Sequence, residues 1–135
     1  NSILTLSKFL VKKYKIKKEN ILGHSDIAPN RKKDPGEKFP WKYLASRKIG
    51  LWHTLSNQLL KNNRQTKVTY KDKQNFYKNL HQIGYSRSSL KDLNEIHKLK
   101  LIVKAFQRRF RQELVNGIID KECVIISKNL INKYN

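Results

Sequence analysis

Apolar residues at the start of the chain recur at helical spacing and then stop doing so. Ile3, Leu6, Leu10 and Tyr14 step by three and four, which predicts an amphipathic helix over 2–14. Asn20-Ile21-Leu22-Gly23 reads as a short strand arriving at His24. Residues 25–39 carry Pro29, Pro35 and Gly36 among polar groups, so a loop is predicted there. Pro40 suits the first position of a second helix, with Trp41, Leu44 and Ala45 on its turns and Gly50 as its stop. Residues 61–71 are polar and nearly patternless, and read as a linker.

Beyond the linker the period is helical throughout. Asp72 is predicted to cap a helix whose apolar positions are Phe76, Leu80 and Ile83, closed by Gly84. Ile96, Leu99, Val103, Phe106 and Phe110 form a full apolar stripe. Gly117 and Asp120 then open a third helix carrying Cys123, Ile126 and Leu130. Three short helices over 72–135 predict a small module, of a size that folds alone only marginally. The first part has a single strand, which cannot pair with itself and calls for a sheet this sequence does not contain. The fold class is therefore read as α+β.

The 135 residues suit one ordinary domain or two small ones. Thirty Lys and Arg against ten Asp and Glu give a net charge of +20, which suggests a polyanionic partner. The excess is spread evenly, +11 over 1–66 and +9 over 67–135, so there is no dedicated basic arm. It is mostly Lys accompanied by Asn and Ile, a trio that A- and T-rich codons also favour. The clusters Lys12-Lys13, Lys17-Lys18, Arg31-Lys32-Lys33 and Arg108-Arg109 are short. Solvated helix faces are the first reading of them and a polyanion surface the second. With 38 % apolar residues the chain is not a disordered polybasic tail. No apolar run approaches the ~20 residues needed to span a bilayer. The single cysteine, Cys123, allows neither an internal disulfide nor a cysteine-type zinc site and reads as core. The sequence has no methionine, so Asn1 is not expected to be a translation start. The chain is accordingly read as the C-terminal part of a longer protein.

The loop after the expected strand holds the densest chemistry. An imidazole at its start, His24, and a carboxylate ten residues later, Asp34, can face one point if Pro29 and the Pro35-Gly36 turn fold the loop back. Both are zinc donors, and a catalytic zinc site needs a third. Read from the residues alone, a solvated or hydrogen-bonded pair is the competing interpretation. Asp26 is expected to fix the loop through backbone hydrogen bonds. His53, His81 and His97 read as surface or boundary histidines.

The run Gly23-His24-Ser25-Asp26-Ile27-Ala28-Pro29, then Arg31-Lys32, Asp34-Pro35-Gly36 and Phe39-Pro40-Trp41, resembles the signature of the type 2 N-acetylmuramoyl-L-alanine amidases. These are zinc hydrolases related to peptidoglycan-recognition proteins, and the likeness extends through Leu44-Ala45 and Ile49-Gly50-Leu51-Trp52. The resemblance implies that His24 and Asp34 bind Zn2+ and that Lys32 faces the metal-bound water and the scissile carbonyl. Arg31 is either a contact to a substrate carboxylate or solvated. The family's other histidine ligand and its glutamate base lie upstream, outside this chain. Val103-Lys104-Ala105-Phe106-Gln107-Arg108-Arg109-Phe110, followed by Val115-Asn116-Gly117-Ile118-Ile119-Asp120, resembles the three-helix peptidoglycan-binding domain. Asn116 stands where Asp is commonest there, and Asp120 where Gly is frequent.

Together these resemblances imply a C-terminal segment of a mixed-sheet zinc amidase domain over 1–60, a linker over 61–71 and a three-helix domain over 72–135. The implied reaction is hydrolysis of the amide between N-acetylmuramic acid, in intact wall, muropeptide or 1,6-anhydro form, and L-alanine. The implied partners are peptidoglycan or muropeptide and the N-terminal half of the protein as a separate chain, with no specific nucleic acid. The location implied is the bacterial envelope or periplasm, with the cytoplasm as the other option. The alternative is a non-catalytic peptidoglycan- or polyanion-binding fragment.

Overall fold

The structure is a computed structural model that describes residues 2–85 and 96–134. Its helices are α1 (Ser2–Tyr14), α2 (His24–Ile27), α3 (Trp41–Ser46), α4 (Asn57–Asn63), α5 (Tyr70–Ile83), α6 (Ile96–Phe110) and α7 (Lys121–Tyr134), with a 3-10 turn at Lys18–Asn20. Among the described residues there is no strand. The one expected over 20–23 is replaced by the 3-10 turn and an irregular approach to α2. The reason is the one that made the strand conspicuous: without a neighbouring strand its backbone groups have no ladder to join. The Ile21 N–H instead closes the 3-10 turn on the Lys18 carbonyl, and the Ile21 carbonyl accepts from Arg109 at 2.8 Å.

Helix boundaries follow from local capping. Thr69, rather than Asp72, is the N-cap of α5. The Thr69 hydroxyl accepts from the Asp72 N–H at 3.1 Å, and the Asp72 carboxylate accepts from the Thr69 N–H at 3.0 Å, a capping box. Pro40 stands just before α3 instead of opening it. Asp120 caps α7 by accepting from the Cys123 N–H at 3.0 Å. The turn between α6 and α7 is pinned from inside by Gln107. Its carbonyl oxygen accepts from the Asn116 and Gly117 N–H groups at 3.0 and 2.8 Å, while its amide nitrogen donates to the Ile118 carbonyl at 2.9 Å. Buried completely, Gln107 satisfies a polar turn that the helices alone would leave unpaired.

One hydrophobic cluster runs through α5, α6 and α7 and reaches back into the first part of the chain. Phe76 and Leu80, Ile102, Phe106 and Phe110, and Cys123, Ile126 and Leu130 are its centre, with Phe76 edge-on to Phe106 at 5.0 Å. The apolar stripes read from the sequence supply these residues. Leu51 and Leu60 belong to the same cluster. The polar stretch at 61–71 is therefore entered from a packed helix, α4, whose Leu60 is buried. Just beyond, Arg64 donates to both carboxylate oxygens of the fully buried Glu122 at 2.8 and 2.7 Å, and also engages Glu113. Further ties join the two parts: Thr54 to Asn129, the Tyr134 hydroxyl to the Trp52 carbonyl at 3.2 Å, and Gln112 to the Phe39 carbonyl at 2.7 Å.

α1 has no buried residue. Ile3, Leu6 and Phe9 stand 44, 57 and 57 % exposed. No described helix is long and apolar enough to cross a membrane.

Candidate metal centre

His24 is the first residue of α2, and the chain returns to it ten residues later. Its Nδ1 lies 2.6 Å from Oδ2 of Asp34, and the Ser25 N–H donates to the Asp34 carbonyl at 2.9 Å. The two ends of the loop are thus joined by side chain and by backbone. Gly23 makes the approach possible. A Cβ on it would stand 2.5 Å from Cδ of Pro35 and 3.3 Å from Cζ2 of Trp41. Both members of the pair face solvent, 69 % and 62 % exposed. The hydrogen bond from His24 holds the Asp34 carboxyl below the usual carboxylate range, and the positive charge of Lys32 acts in the same direction. Lys32 and Arg31 follow a turn in which both backbone N–H groups donate to the Ala28 carbonyl, at 2.9 and 3.1 Å, and both residues are exposed.

Beneath the pair lies a buried ionic knot. Asp26 accepts from the Gly23 N–H at 2.9 Å and from Arg109 Nη1 at 2.5 Å, while its other oxygen accepts from the Tyr85 hydroxyl at 2.7 Å. Arg109 donates its second terminal nitrogen to the Ile21 carbonyl and stacks over Trp41 at 4.1 Å from the ring centre. The backbone bond expected of Asp26 is present. Its partners Arg109 and Tyr85 are not visible in the loop motif. The Arg108-Arg109 cluster, read as solvated, is buried on both residues. The signal was available in the position of Arg109, one residue before Phe110 on a helix whose neighbours are core.

An imidazole nitrogen and a carboxylate oxygen 2.6 Å apart, at an exposed edge, are donor types that zinc accepts. The residues present therefore fit two ligands. Among the described residues no third His, Cys, Asp or Glu converges on them. His81 and His97 are exposed on α5 and α6, and His53 is buried, its pKa pulled down to about 4 by burial and by Lys42.

No protein-family model matches the chain. It is 34 % identical over 133 residues to N-acetylmuramoyl-L-alanine amidase AmiD of Escherichia coli, a match that takes in 98 % of this chain and 47 % of AmiD. The chain is a homologue of the N-acetylmuramoyl-L-alanine amidases. A shorter match, 49 % identical over 47 residues, links it to 1,6-anhydro-N-acetylmuramyl-L-alanine amidase AmpD of Haemophilus influenzae, covering 33 % of this chain and 26 % of AmpD. The backbone superposes on E. coli AmiD, solved with anhydro-N-acetylmuramic acid-L-Ala-D-gamma-Glu-L-Lys, with a TM-score of 0.81 at 33 % identity, over 98 % of this chain and 50 % of that one. It superposes on AmpDh3 of Pseudomonas aeruginosa with a TM-score of 0.80 at 30 % identity, over 99 % of this chain and 52 % of that one. The chain thus spans about half the length of the amidases it matches.

Proposed function

We propose that this chain is the C-terminal part of a zinc amidase that hydrolyses the amide between N-acetylmuramic acid, including its 1,6-anhydro form, and L-alanine in wall fragments. The observation that carries this reading is the convergence of His24 Nδ1 and Asp34 Oδ2 in a chain homologous to such amidases along nearly its whole length. His24 and Asp34 hold the metal, and Asp34 is kept ionised for the task. When bound, zinc polarises the amide carbonyl and acidifies its water. Lys32, an exposed cation two residues before Asp34, offers positive charge to the oxygen that turns anionic as the carbonyl is attacked. Arg31 is suited to the free carboxylates of the stem peptide.

A further ligand and the general base are assigned to the part of the relatives' fold that lies beyond the half matched here. The apolar face of α1 supports this, because Ile3, Leu6 and Phe9 lie uncovered where a packed layer would bury them. The helices α5 to α7 are read as wall-binding, which favours the envelope or periplasm.

The test is zinc stoichiometry together with cleavage of an anhydromuropeptide, on protein carrying both halves of the fold. About one zinc per molecule, with metal and cleavage both lost in Asp34→Ala, is the expected result. No zinc and no cleavage from the wild type would overturn the reading.

A further inference from the structure

We infer that Arg109 and Tyr85, from the C-terminal helical region, are positioning residues for the His24–Asp34 pair. The inference rests on reading that pair as metal ligands. A four-residue helix such as α2 has too few internal hydrogen bonds to fix its own orientation. What fixes it comes from far along the chain. One guanidinium grips both flanks of the turn that presents His24: the Ile21 carbonyl on the entering side and the Asp26 carboxylate on the leaving side. The same group stacks on Trp41, whose ring stands against Gly23 and so borders the Pro35 end of the loop. The Tyr85 hydroxyl takes the remaining oxygen of Asp26. Arg109 is 3 % exposed and Asp26 6 %, so these bonds act in a low-dielectric pocket and hold a single geometry.

The path from strut to ligand is short and continuous. Asp26 lies two residues after His24 on the same helical turn, and Ser25, between them, holds the Asp34 backbone. If the turn rotates, His24 Nδ1 and Asp34 Oδ2 leave register together. Groups behind the ligands commonly set metal affinity in this way, through orientation and not through contact with the metal. The C-terminal helices would then be part of the metal site's scaffold as well as a separate binding region.

The experiment uses the 135-residue chain labelled with 15N, as wild type, Tyr85→Phe and Arg109→Lys. Tyr85→Phe deletes one hydroxyl with no change of shape. Arg109→Lys keeps the charge but cannot span Ile21 and Asp26 at once. Long-range 1H–15N correlations read which ring nitrogen of His24 carries the proton. The wild type is expected to carry its proton on Nδ1, facing Asp34. In both variants the Nδ1–H to Nε2–H ratio is expected to fall at least about twofold, and zinc affinity, measured by chelator competition on protein carrying both halves of the fold, to fall several-fold. Amide exchange at Phe106 and Ile126 is expected to stay unchanged in Tyr85→Phe, which separates positioning from general destabilisation. An unaltered His24 tautomer in Tyr85→Phe and in folded Arg109→Lys would overturn the inference. Failure of the metal reading looks different: wild type and His24→Ala would bind zinc alike, while the tautomer would still report whether the strut positions the pair.

Discussion

Arg109 and Asp26, 83 residues apart in sequence, form an ion pair of 2.5 Å with both side chains nearly sealed from solvent. Burying two charges is costly, and the attraction offsets this cost only when the remaining donors and acceptors are also met. Here Gly23 and Tyr85 serve the Asp26 oxygens and Ile21 accepts from one Arg109 nitrogen, while Arg109 Nε is buried with no hydrogen-bond partner among the described residues. Removing one partner strands the other. Arg109→Ala is expected to destabilise the chain by about 3–5 kcal/mol, and Tyr85→Phe by about 1 kcal/mol, both read from urea unfolding. A loss under about 1 kcal/mol for Arg109→Ala would mean that the pair is solvated in solution.

The contrast between this pair and the loop motif shows which features were readable in the sequence. The apolar steps through Phe76 and Leu80, through Val103, Phe106 and Phe110, and through Cys123, Ile126 and Leu130 have one dominant cause, burial of a helix face, so periodicity finds them. The approach of His24 and Asp34 was legible because Pro29 and the Pro35-Gly36 turn bend the loop between them. The strand at 20–23 was misread because Ile21-Leu22 is apolar in either setting, and only a partner strand decides between them. The stretch at 61–71 looked featureless because its contacts are electrostatic and distant: Arg64 meets Glu122, 58 residues on, and the Lys121 N–H donates to the Thr66 carbonyl. Arg109 was hidden for the same reason. A charge on an apolar helix face announces burial, but the sequence does not name the carboxylate that receives it.

Gly23 gives a test of how tightly the loop closes. A Cβ there would overlap Pro35, and the relief available is to push Pro35, and Asp34 with it, away from His24. Gly23→Ala is expected to cost about 1–3 kcal/mol and to increase amide exchange at Ser25, whose N–H is held by Asp34. Gly36→Ala is the control. Nothing lies within 4 Å of its added carbon, and a change of at most about 0.5 kcal/mol is expected. Equal effects of the two substitutions would show that the loop is open at Pro35.

Cys123 reports the integrity of the helical core. It is fully buried, and burial pushes its thiol up to about 12, so the reactive thiolate is scarce at neutral pH. An aromatic disulfide reagent at about pH 8 is expected to leave the native chain unlabelled and to react at once in denaturant. Labelling of the native protein should follow the global unfolding equilibrium. Rapid stoichiometric labelling without denaturant would show that α7 opens away from the core.

His53 makes the stability depend on pH in a window of its own. Burial, reinforced by Lys42, lowers its pKa from 6.5 to about 4. Below pH 6.5 the unfolded chain takes up a proton at this site and the folded chain does not. Stability is therefore present above about pH 6.5, and is lost as pH falls toward 4, where the folded state begins to bind the proton too. Between pH 7.5 and 5 the expected loss from this group is about 2 kcal/mol. Asp34 and Asp72 also have lowered pKa values, but from a starting value of 3.8, so their share of acid destabilisation falls below this window. His53→Gln keeps a polar side chain at the site and removes the titration. Its stability, measured by urea unfolding at half-unit steps, is expected to change about 2 kcal/mol less than the wild type from pH 7.5 to 5. Parallel curves for the two proteins would show that His53 is hydrated in solution.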